Sequence, residues 1–165
     1  MSSKNLIAEL EFELISTSKL LNLVPSDKLN WQPHPKAMKL GALALHVAMI
    51  PGRNLTFGDS QTASVETFAD HPLPKTKKAI LEAFGKSSAK AKELLTNAYD
   101  NWKDRSFTLT VNDSVVLSLP SPLFTRLLVF NHWYHHRGEL VTYLRTLNVL
   151  IPSVYGPSAD ENPFG

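Results

Sequence analysis

The sequence predicts an all-α protein, a four-helix bundle with a small β-hairpin between its third and fourth helices. Three observations carry that expectation. The eleven prolines leave four long windows without one, at 1–24, 36–50, 75–119 and 123–151. Proline costs ~3 kcal/mol in a helix interior, so long helices belong in such windows. Apolar residues inside them recur at helical steps, except across 107–119, where they alternate.

In the first window Leu6, Leu10, Leu14 and Leu21 share one face, with Ile7 and Ile15 beside them. This predicts an amphipathic helix of about five turns. The second window is almost wholly apolar from Leu40 to Ile50, which predicts a buried helix. Pro51 either ends it or kinks it; if it kinks, Arg53 to Phe57 continue it. Residues 58–74 hold Gly, Asp, Ser and two prolines and read as a long loop.

The third helix is expected from Lys75 to about Asn101, on the spacing of Ile80, Phe84, Ala91, Leu95, Ala98 and Trp102. Phe107, Leu109 and Val111 then alternate with polar residues, as do Val115, Leu117 and Leu119 after Asn112-Asp113-Ser114. Period two around a turn cluster predicts a hairpin. The last helix follows Pro120-Ser121-Pro122 and runs to about Asn148. Ser121 can cap it and Pro122 suits its first position. Val149 to Gly165 reads as an extension, and residues 1–165 as a single domain.

Composition excludes several function classes. With 43% hydrophobic and 19% charged residues the chain is globular. A net charge of +2 gives no reason to expect nucleic acid or an anionic membrane as partner. The densest basic cluster, Lys75, Lys77 and Lys78, reads as a solvated face. The absence of Cys rules out disulfides, a cysteine nucleophile and thiolate metal ligands. No apolar run has the ~18 residues of a membrane helix, and no signal peptide is evident. The expectation is a soluble, untargeted, cytoplasmic protein. No P-loop, nucleophile elbow or Rossmann turn occurs.

The chemistry lies in the six histidines. His34 and His71 sit beside prolines and read as solvated loop residues. His132 and His136 are four apart, about 40° apart around a helix, so both leave one face. That spacing suits one metal ion held by two neutral imidazoles. His135 lies about 60° from His132 on the other side, and angles alone do not choose between His135 and His136. His46 lies mid-helix in an apolar run. A buried imidazole needs a hydrogen bond or a ligand, and there it could supply a third nitrogen. Glu139 is a fourth ligand or a carboxylate that orients an imidazole.

The run Asn131 to Leu140 with Tyr143-Leu144-Arg145 resembles the last-helix signature of the DinB-like superfamily: a His, three residues, then His-Arg-Gly-Gln/Glu and a following Leu-Arg. The segment Leu40 to Met49 with His46 resembles its second-helix motif. The tail with Pro152 and Tyr155-Gly156-Pro157 resembles the extension of many members. The resemblance implies a bundle with up-down-down-up connection. It also implies a divalent metal, nickel or zinc, on His46, His132 and His136, which selects His136 over His135. Glu139 stands where many relatives have Gln, and this weighs against a ligand role.

Homodimers are common among such proteins, and some use the metal in low-molecular-weight thiol chemistry. The implied function is a metal-dependent thiol transferase acting in stress or detoxification on a small-molecule substrate. A hydrolase with Glu139 as general base, or a non-catalytic ligand or metal binder, is the alternative. Bound metal would lower the pKa of a water or small thiol, which a chain lacking Cys needs. Arg137 and Tyr155 are the side chains expected to position an anionic substrate.

Overall fold

The computed structural model describes residues 2–164, so Met1 and Gly165, the two ends of the expected domain, lie outside the described residues. The protein is mostly helical with a small three-stranded sheet. Helix α1 (Ser3–Leu23) starts where Ser2 Oγ accepts from Asn5 N. It buries Leu6, Leu10, Leu20 and Leu21. Midway its inward residues turn polar, with Glu13 and Thr17 buried, while Ile15 is 61% exposed.

Helix α2 (Leu40–Ser60) runs through Pro51 without ending. Proline removes the backbone donor that would have met the Val47 carbonyl, and a side chain of another helix bonds the backbone on either side of it. Ser87 Oγ accepts from Gly52 N at 2.9 Å and donates to the Met49 carbonyl at 3.0 Å. Gly52 permits this approach: a Cβ there would stand 2.6 Å from the Ser87 carbonyl oxygen.

The long loop expected over 58–74 is largely structured. α2 ends at Ser60 with Gln61 left-handed at φ 64°. Strand β1 (Thr62–Ser64) and a helical turn α3 (Val65–Phe68) follow, the latter capped by Ser64. β1 exists because β2 offers it a free edge, pairing Thr62 with Thr108 in parallel. That partner is distant in sequence, so no local pattern announces it.

Helix α4 (Lys77–Asn97), capped by Thr76, packs on α1 and α2. The backbone breaks at Ala98, and a short helix α5 (Tyr99–Trp102) completes the expected span. The hairpin forms as expected from β2 (Ser106–Val111) and β3 (Ser114–Pro120), its turn made by Asn112 and Asp113, both at positive φ. Phe107 is fully buried, but Val115 and Val116 are more than half exposed.

The last helical stretch has three parts: α6 (Ser121–Phe124), a π-helical segment over Thr125–Asn131, and α7 (His132–Thr146). Ser121 does not cap it. The N-cap is Pro120, and the buried Ser121 hydroxyl has no hydrogen-bond partner. No helix among the described residues is long and apolar enough to cross a membrane.

Candidate metal centre

The packing of α2 against α7 brings His46, His132 and His136 together. One ring nitrogen from each lies within 4.8 Å of the other two. His46 Nε2 is 3.2 Å from His132 Nε2. Two imidazoles on one tetrahedral ion at ~2.05 Å place their nitrogens about 3.3 Å apart, so this spacing suits a shared cation.

The π-helical segment ends at His132. Its wider turns leave carbonyls without their usual partners, and the fully buried Asn54 of α2 donates Nδ2 to the Leu128 carbonyl at 2.5 Å.

Burial sets the charge state of the cluster. It pushes the His46 imidazole down to about 2, helped by the positive charges that His136, His71, Arg53 and His132 can carry. It brings His132 to about 4, again with help from His136 and Arg53. It lowers His136 too, against the opposing pull of Glu139. All three are neutral near pH 7, as ligands must be.

Hydrogen bonds settle the ring protons. Glu139 Oε2 lies 2.5 Å from His136 Nδ1. The carboxylate accepts, so Nδ1 carries the hydrogen and the Nε2 lone pair is left for a ligand role. This is the carboxylate–imidazole pairing found behind metal-bound histidines. Arg53 Nη2, which can only donate, is 3.2 Å from His46 Nδ1. His46 therefore carries its hydrogen on Nε2, which donates to His132 Nε2. Holding an ion at His46 Nε2 requires that hydrogen to move and Arg53 to turn away. The His132 Nδ1 is buried without a well-formed hydrogen bond, and the Leu128 backbone beside the ring pulls against the effect of burial. Once the His46 hydrogen has moved, three neutral nitrogens, one backed by a carboxylate, would fit a divalent metal ion.

The segment read as a solvated loop roofs this cluster. Phe68 stacks on His132 with ring centroids 5.9 Å apart, and His71 meets His46 edge-on at 4.2 Å. Arg53 ties the roof down, Nη1 donating to the Asp70 carbonyl at 3.1 Å. Sequence reasoning missed both His71 and Arg53, for nothing local shows that residues 68–71 fold back over α2. His34 stays in an exposed turn, its Nδ1 accepting from Lys36 N. His135 is exposed and reaches Glu139 at 3.7 Å, outside the trio.

Arg137 and Tyr155, expected to position substrate, have other partners. Arg137 is 2% exposed and forms an ion pair with Glu13 of α1 at 2.5 Å. It also donates to Thr17 Oγ1 and to the Tyr155 hydroxyl, which in turn bonds the Glu13 carboxylate. This network joins α1, α7 and the tail. None of its hydrogen bonds or ion pairs is to a histidine.

A mostly helical chain with a three-histidine cluster between two of its helices defines a class of candidate metal-binding helical proteins. The sequence model of the DinB family matches residues 1–162, and the chain belongs to that family. It is 24% identical over 151 residues to the uncharacterized protein YrdA of Bacillus subtilis (strain 168), covering 92% of this chain and 86% of that one. Among solved structures it resembles a DinB-like protein from Bacillus cereus ATCC 10987, with TM-score 0.68 and 26% identity over 90% of this chain and 94% of that one. A DinB-like protein of Bacillus subtilis, YjoA, shares the fold at TM-score 0.67 and 16% identity, covering 87% and 92% of the two chains.

Proposed function

We propose that this protein is a divalent-metal-dependent enzyme of the thiol-transferase type, acting in stress or detoxification. In this reading His46, His132 and His136 hold one nickel or zinc ion. The observation that carries it is the convergence of three neutral imidazoles in a chain without Cys. A divalent ion held there would supply Lewis acidity, lowering the pKa of a small thiol towards neutrality.

The chain's own residues do the rest. Glu139 fixes the tautomer and aim of His136. Phe68 covers one side of the cluster, and the exposed His71 ring rests against His46. Glu139 is bonded to His136, which supports an orienting role over the general-base role that a hydrolase would ask of it. The four long helical stretches are read as one up-down-down-up four-helix bundle, a topology that rests on the family likeness.

The test is turnover by tag-free protein loaded with zinc or nickel, using a panel of small thiols and a chromogenic electrophile. The reading expects electrophile consumption that needs both thiol and metal. Consumption without thiol would favour a hydrolase. No turnover beside tight metal binding would favour a non-catalytic binder.

A further inference from the structure

Arg53 of α2 joins the histidine cluster to the segment folded over it. Its Nη2 donates to His46 Nδ1 at 3.2 Å and reaches the Phe68 carbonyl at 3.5 Å. Its Nη1 donates to the Asp70 carbonyl at 3.1 Å. One guanidinium thus holds a ring of the trio and the backbone of residues 68–71 at once. It is a rigid planar fork, so these contacts are made and lost together. The same segment also rests on the cluster through side chains, with Phe68 stacked on His132 and His71 edge-on to His46.

The Arg53 contact and a bound ion exclude each other. A guanidinium offers only hydrogens, so it needs the lone pair of His46 Nδ1. A neutral imidazole with that lone pair carries its hydrogen on Nε2, where it is given to His132 Nε2 at 3.2 Å. An ion on Nε2 sends the hydrogen to Nδ1, where it would face the hydrogens of Arg53. An ion on Nδ1 takes the lone pair that Arg53 uses. Whichever nitrogen serves, Arg53 has to leave the ring. Repulsion between its charge and a divalent ion acts in the same direction.

We propose that Arg53 is a metal-sensitive latch: an ion entering the trio displaces it from His46 and so frees residues 68–71 from the cluster. Metal binding then uncovers the side that Phe68 covers, and a small-molecule substrate gains the centre after the metal rather than before it. The inference deepens the metal reading and rests on it. The coupling is reciprocal, so whatever the latch adds to holding the segment it subtracts from metal affinity.

Zinc titration and limited chymotryptic digestion of tag-free full-length protein test this together. Phe68 is half-buried against His132, so the rate of cleavage after it reports release of the segment. In the unaltered protein saturating zinc should raise that rate severalfold, a comparison that needs no variant. Arg53→Met should bind zinc roughly tenfold more tightly, because a charge-assisted hydrogen bond no longer competes. It should also be cut at the fast rate with or without zinc. His132→Ala should lose the effect of zinc on cleavage, which sets aside any action of zinc on the protease. Stoichiometric zinc with an unchanged or slower cut after Phe68 would overturn the latch and leave the metal reading standing. So would zinc affinity that is unchanged or weaker in Arg53→Met. Absence of zinc binding in both the unaltered protein and Arg53→Met would overturn the metal reading and the latch with it.

Discussion

His136 Nδ1 lies 2.5 Å from Glu139 Oε2, and that contact decides which nitrogen of His136 faces the other two histidines. Without it either tautomer is open to the ring. Glu139→Ala should therefore weaken zinc binding by roughly 10–100-fold while leaving stoichiometry intact at high zinc. Competition with a chromophoric chelator measures this. An unchanged affinity would show that the carboxylate does not orient the ligand.

The buried trio makes the metal-free protein sensitive to acid. The pKa values of His46 and His132 are lowered to about 2 and about 4 from 6.5. Between pH 6.5 and about 4 the unfolded chain takes up protons that the folded chain refuses, so stability falls as pH drops through that window. For His132 alone the loss by pH 4 is on the order of 3 kcal/mol. Urea unfolding from pH 7 to 4 should show it, and His132→Phe should flatten the slope. An identical slope in that variant would contradict the assignment.

How far the sequence alone reaches depends on whether a signal is local. The four-residue step from His132 to His136 and the imidazole in the apolar run around His46 are local, and both lead to the cluster. The Asn112-Asp113 turn is local too, and its positive φ values bear out the hairpin. The strand Thr62–Ser64 pairs with a segment more than forty residues away, and three residues carry no period of their own. His71 is an exposed loop residue, as its proline neighbour suggests, but its contact with His46 arises only because the chain doubles back over α2. Glu13 sits on the inward face of α1 and makes sense only with Arg137 opposite.

That pair gives a stability prediction. Glu13 and Arg137 are both buried, so removing one leaves the other's charge stranded. Glu13→Gln should cost about 3–5 kcal/mol. Replacing both with Glu13→Met/Arg137→Leu should cost less than the two single changes added together. Chemical denaturation of the four proteins closes the cycle, and strict additivity would show that the pair is not coupled.

Gly52 tests the contact of α2 with α4. A methyl group there meets the Ser87 backbone carbonyl at 2.6 Å, which α4 can relieve only by moving away. Gly52→Ala should destabilise by about 1–3 kcal/mol, despite alanine's better helix propensity. Thermal unfolding reads this out, and a gain in stability would contradict the close contact of α2 and α4.

The central claim is that α2 and α7 together hold one divalent ion. Elemental mass spectrometry of tag-free protein, beside His46→Ala and His132→Ala, tests it most directly. The account predicts roughly one zinc or nickel per chain, lost in both variants. Metal retained in full by His132→Ala, or none bound by the unaltered protein after reconstitution with zinc and nickel, would contradict it.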